Sequence, residues 1–174
     1  MRIIIPRRTG STLQDNMEAH VITLKPGNKA PDFTSVDQDG EPVSLKDFKG
    51  KKVVLYFYPE DDTPTCTKEA CNLRDNFALL KKKGIVVLGI SPDNSKKHKK
   101  FEAKYSLPFT LVADPEREIL NKYGVWGMKK FMGREFLGTH RTTFLINENG
   151  KIDHIIEKVK SGDHAAQILQ TWGF

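Results

Sequence analysis

The 174-residue chain is long enough for one domain with a real core and too short for two comfortable ones. Its 38% hydrophobic and 29% charged residues describe a globular protein, and no apolar run approaches a membrane span. Two cysteines are too few for a secreted disulfide framework and point to a reducing, cytoplasmic setting; a net charge of +6 permits acidic partners without arguing for them.

Residues 1–19 show no clear hydrophobic period and read as a flexible or loosely docked extension, leaving 20–174 as one domain. Lys25-Pro26-Gly27 and Ala30-Pro31 punctuate a loop, and Asp39-Gly40 is a hairpin turn signal. Residues 53–58 and 85–90 are continuous apolar runs of the kind buried strands show. Between them Ala70, Leu73, Phe77 and Leu80 recur at three- and four-residue steps, one stripe of a single helix. Gly84 closes that helix behind Lys81, Lys82 and Lys83, where cations suit the dipole. Strand, helix, strand in this span is a βαβ unit with parallel strands. Residues 94–105 read as helix, 109–112 as strand and 116–123 as helix. Residues 142–146 and 152–159 form a strand pair about Asn149-Gly150, and 163–172 a closing helix. The expectation is an α/β sandwich: a central sheet of about five strands with helices on both faces.

The segment from Pro59 to Cys71 joins a buried strand to a helix, at the sheet end where α/β proteins bind ligands. Pro64 suits the first helical position with Thr63 as its cap, which places Cys66 in the first turn. Free amides and the positive end of the dipole favour a thiolate there. Cys66 aligns with the stripe of Ala70 and Leu73, whereas Cys71 shares a face with Thr67, Arg74 and Asp75, nearer the surface. Cα atoms five apart on a helix are ~8–9 Å apart, beyond the ~4.4–6.8 Å a disulfide needs. If the pair closes, the first turns must unwind. From the pair alone, two buried structural cysteines is an equal reading. A zinc half-site lacks a second ligand pair, because His20, His98, His140, His154 and His164 are scattered.

Pro59-x-x-x-Thr63-x-x-Cys66 resembles the active-site motif of peroxiredoxins, and the second cysteine in Cys66-Thr67-Lys68-Glu69-Ala70-Cys71 resembles the bacterioferritin-comigratory or peroxiredoxin Q subfamily. Further segments are similar: Gly27-Asn28-Lys29-Ala30-Pro31-Asp32-Phe33, Arg74-Asp75-Asn76, Tyr123-Gly124-Val125-Trp126-Gly127, Lys129-Lys130-Phe131-Met132-Gly133 and Arg141-Thr142-Thr143-Phe144-Leu145-Ile146. The resemblance implies a thioredoxin-like fold with a mixed sheet, hydrogen peroxide and organic hydroperoxides as oxidants, and thioredoxin or a similar dithiol protein as reductant. It implies no metal, haem or flavin cofactor, and a monomer rather than a dimer. By position it makes Cys66 the peroxidatic cysteine and Cys71 the resolving one. Thr63 then bonds the thiolate and peroxide, and Arg141 holds the thiolate charged. Pro59 shields the thiolate, and Thr65 replaces the usual glycine, bringing a β-branched side chain to the tightest part of the pocket. Trp126 is either pocket lining or core.

Two other functions fit the residues less well. Protein disulfide oxidoreductases usually space their cysteines by two residues, not four. The basic run Lys96-Lys97-His98-Lys99-Lys100 is the best argument for nucleic acid, but it spreads around a helix and reads as a solvated surface.

Overall fold

The structure, a computed structural model, describes residues 20–174, so the expected extension over 1–19 lies outside the described residues. In chain order come β1 (Thr34–Val36), β2 (Pro42–Ser44), a 3-10 turn (Leu45–Phe48), β3 (Lys52–Phe57), α1 (Pro64–Asp75), α2 (Phe77–Lys82) and β4 (Ile85–Ser91). Then follow α3 (Ser95–Tyr105), β5 (Thr110–Ala113), α4 (Glu118–Lys122), β6 (Trp126–Phe131), β7 (Arg134–Thr139), β8 (Thr142–Ile146), β9 (Ile152–Ile156), a 3-10 turn (Ser161–Asp163) and α5 (His164–Thr171). Among the described residues no helix is long and apolar enough to cross a membrane.

The central sheet runs β5-β4-β3-β8-β9. The β3–β4 and β4–β5 pairs are parallel, and β8 and β9 add antiparallel, giving the five-stranded mixed sheet expected. Strands β3 and β4 read as unbroken apolar runs because both faces are covered. Val53, Leu55 and Phe57 point to one core with Leu88, Phe144, Tyr123 and the α4 residues Ile119 and Leu120. Val54, Tyr56 and Tyr58 point to the other, with Cys66, Leu73, Leu80, Phe101, Leu145 and Ile168. Helices α1, α2, α3 and α5 therefore lie on one face, and α4 with the β1–β2 hairpin on the other.

Three elements differ from the sequence reading. The single helix predicted between β3 and β4 is two, broken at Asn76 (φ −109°, ψ 9°). There the Asn76 side-chain amide donates to the Asn72 carbonyl at 2.8 Å, competing with the backbone ladder. The helix expected over 116–123 starts two residues late, because Arg117 is left-handed (φ 58°) and the buried Asp114 carboxylate accepts the Ile119 and Leu120 amides. The β6–β7 hairpin was not anticipated; its turn is Met132-Gly133, both with positive φ, and methionine is no turn signal.

Phe144 is fully buried between Phe57 and Tyr123, with ring centroids 5.8 and 4.9 Å away. Phe144→Ala is expected to cost ~3–5 kcal/mol of stability in urea unfolding. Retention of full stability would show that this core does not carry the sheet.

Candidate active site

Chain direction brings the parts together. β8 runs antiparallel to β3, with Thr142 opposite Phe57, so the residue entering β8 sits beside the strand end from which α1 departs. That residue is Arg141. Its Nη2 donates to Cys66 Sγ at 3.1 Å and its Nη1 to Glu69 Oε1 at 3.0 Å. One guanidinium therefore spans two α1 side chains three residues apart, using its fixed fork of donors.

Cys66 lies in the first turn of α1 and is 2% exposed; Cys71 is half-buried, and both are free thiols. Pro64 occupies the first helical position and Thr63 is the N-cap, its carbonyl accepting from the Thr67 amide at 2.8 Å. The Thr63 hydroxyl does not cap the helix, nor does it bond the thiol; it donates to the Glu60 carbonyl at 3.0 Å. With no side chain capping them, the first-turn amides remain available to an anion at this end of α1.

Glu69 was missed by sequence reasoning. It is 0% exposed, and its Oε2 has no hydrogen-bond partner. Burial pushes its carboxyl up to about 7, against the opposing pull of Arg141. The clue was its spacing: position 69 falls on the apolar stripe of Cys66, Ala70 and Leu73. Lys129 was also missed. Its ammonium donates to the Thr139 carbonyl at 2.9 Å, and burial, then Arg141, holds it below the usual lysine range while Cys66 pulls the other way. Tyr56, buried in the same core as Cys66, has a phenol without a hydrogen-bond partner and pushed well up by burial.

The other expected pocket residues are placed differently. Thr65 is exposed, so its branched side chain does not crowd the thiol, because at this point of the first turn it faces outward. Pro59 is half-buried in the bend after β3. Trp126 packs against the core on the opposite face from Cys66, with the Arg117 guanidinium 4.8 Å over its ring. The core alternative for Trp126 is therefore the one its packing supports.

Surface depressions of about 440, 490 and 360 Å³ contain neither cysteine nor Arg141. A smaller recess of about 240 Å³ does reach Arg141, between His20, Lys129, His140, Thr142 and Glu157, room for a small substrate. Asp61, Asp93 and His98 cluster tightly enough to suggest a metal, but both His98 ring nitrogens are taken up in hydrogen bonds, to Asp61 and to the Val112 carbonyl.

Residues 26–155 match the AhpC/TSA family. The chain is 48% identical over 146 residues to peroxiredoxin Bcp of Escherichia coli, covering 84% of this chain and 94% of that one. It is 45% identical over 150 residues to peroxiredoxin Bcp of Bacillus subtilis, covering 86% and 96%. Among solved structures it is similar to the Xanthomonas campestris bacterioferritin comigratory protein, studied for alkyl peroxide reduction: TM-score 0.77, 31% identity, coverage 86% and 96%.

Glu69 makes stability depend on pH. Its carboxyl ionises near 4.5 in the unfolded chain and near 7 when folded. Between those values the folded state keeps a proton that the unfolded state has released, so stability falls as pH rises through this window and stays reduced above it. The effect is on the order of 3 kcal/mol at most. Glu69→Gln is expected to flatten urea stability between pH 5 and 8; an unaltered slope would assign the titration to another group.

Proposed function

The chain belongs to the AhpC/TSA family and is a thiol-dependent peroxidase of the peroxiredoxin kind, and we propose that Cys66 and Cys71 carry its reaction in turn. The observation that supports this most is the 3.1 Å contact between Arg141 and Cys66 Sγ at a helix start. A permanent cation and free amides favour the thiolate, which is the nucleophile.

The Cys66 thiolate attacks the terminal oxygen of the hydroperoxide. The S–O bond forms as the O–O bond breaks, and the leaving alkoxide or hydroxide takes up a proton. Arg141 and the α1 amides face the charge that develops on the leaving oxygen. The Thr63 hydroxyl, while donating to Glu60, keeps a lone pair to accept the peroxide O–H. Glu69 fixes the Arg141 fork, Lys129 adds positive potential, and Pro59 shields the thiolate from water. Cys71 then attacks the Cys66 sulfenic acid, releasing water and closing the disulfide. Both cysteines lie within the unbroken helix α1, so closure requires its first turns to unwind. A dithiol protein such as thioredoxin returns both thiols, its own pair becoming the disulfide. The substrates in this reading are hydrogen peroxide and organic hydroperoxides, and the enzyme is a cytoplasmic monomer with 20–174 as its single domain.

One equivalent of hydrogen peroxide is expected to remove both thiols from the monomer. Cys71→Ser should accumulate sulfenic acid and Cys66→Ser should not react. A wild type as slow as Cys66→Ser would sink the assignment. Arg141→Lys keeps the charge but loses the fork, and should slow the peroxide step by about tenfold or more. An unchanged rate would remove Arg141 from the mechanism.

A further inference from the structure

Three consecutive residues of the loop that leads into α1 are tied to one helix. Glu60 accepts from Lys97 at 2.8 Å, Asp61 meets His98 Nδ1 at 2.6 Å, and Asp62 accepts from Lys104 at 2.7 Å and Tyr105 at 2.8 Å. The outer pairs are exposed and contribute little. The middle one is buried, with Asp61 3% and His98 0% exposed.

Around it every polar group is engaged. Asp61 Oδ1 accepts from the Tyr58 hydroxyl at 2.6 Å, and the Asp61 amide donates to Asp93 Oδ2 at 2.8 Å. Asp93 also accepts from Ser91 and pairs with Lys97. His98 Nε2 faces the Val112 carbonyl at 3.1 Å. A carbonyl only accepts, so Nε2 is the donor to Val112, which leaves Nδ1 to meet the Asp61 carboxylate. The imidazole thereby joins the loop, α3 and β5. Immediately after the anchor, Asp62 is left-handed (φ 59°), a conformation that aspartate adopts more readily than most residues with a side chain and that turns the chain toward α1. Beyond it, the Thr63 hydroxyl bonds only within the loop.

We propose that Asp61 and His98 are positioning residues: a buried latch that holds the entry to α1 and so sets the balance between its helical and unwound states. This rests on the peroxidase reading above, in which the helical state reacts with peroxide and the unwound state closes the disulfide. The latch steadies the first and opposes the second. The two half-reactions therefore respond to it in opposite directions, which a simple loss of stability does not produce.

The test follows single turnover with hydrogen peroxide in the wild type, His98→Leu and Asp61→Asn. It reads the peroxide rate constant and the lifetime of the Cys66 sulfenic acid. His98→Leu is expected to slow the peroxide step and shorten the sulfenic lifetime, each by about three- to tenfold. Asp61→Asn keeps the volume and an acceptor and should fold even if His98→Leu does not; smaller shifts of the same signs are expected. Both rates unchanged in Asp61→Asn, or both steps slowed together in either variant, would overturn the latch. A wild type that keeps its thiols would instead overturn the peroxidase assignment, so the two failures are separable.

Discussion

A guanidinium shared between a thiol and a carboxylate organises this molecule. Arg141 reaches Cys66 and Glu69 only because β8 pairs antiparallel with β3, so that the start of one strand lies at the end of the other. The charge must be fixed before chemistry begins, since a site that reorganises during attack loses much of its electrostatic advantage. Glu69 provides that fixation at a cost, because burying a carboxyl raises its proton affinity. When Glu69 is protonated the guanidinium charge faces the sulfur with less competition; when it is ionised the fork is held more tightly. The same contact thus links the stability of the fold to the ionisation of Glu69, beside the proposed reactive thiol.

Helix α1 is fastened unevenly. Its C-terminal half is stitched to neighbours: Asn72 donates to the Gly162 carbonyl and accepts from the Ala165 amide, and Arg74 donates to the Tyr105 carbonyl. The first turn has no side-chain cap and depends on Arg141 and on the loop before it. Local opening follows the distribution of such contacts. In the proposed reaction the first turn is therefore the part of α1 that opens, while Cys71 and the segment beyond it stay docked.

The parts of this arrangement visible in the sequence were those with strong local signals. Buried on both faces, β3 and β4 announce themselves as apolar runs, and Pro64 marks the helix start. The thiol and its arginine were legible only as a resemblance, because 75 residues separate them and no local pattern links the two. Glu69 and His98 were hidden for a common reason: each is a polar residue on the buried face of a helix. Their spacing gave the clue, Glu69 beside Ala70 and Leu73, and His98 three residues before the buried Phe101. Composition had instead put His98 among surface lysines. The break at Asn76 and the hairpin at Met132-Gly133 depend on single backbone conformations that hydrophobic periodicity does not report.

The contrast in exposure between the two sulfurs has a consequence for any reagent meeting the reduced protein. Cys66 is almost sealed, while Cys71 is half open to solvent. A bulky alkylating agent is sorted by access and finds Cys71 first. A two-oxygen oxidant is less hindered, and in the proposed reaction it is drawn to the sulfur that faces the Arg141 guanidinium. The fold thus acts as a sieve in front of the proposed nucleophile, and under that proposal the order in which the thiols are modified reverses with the size of the electrophile.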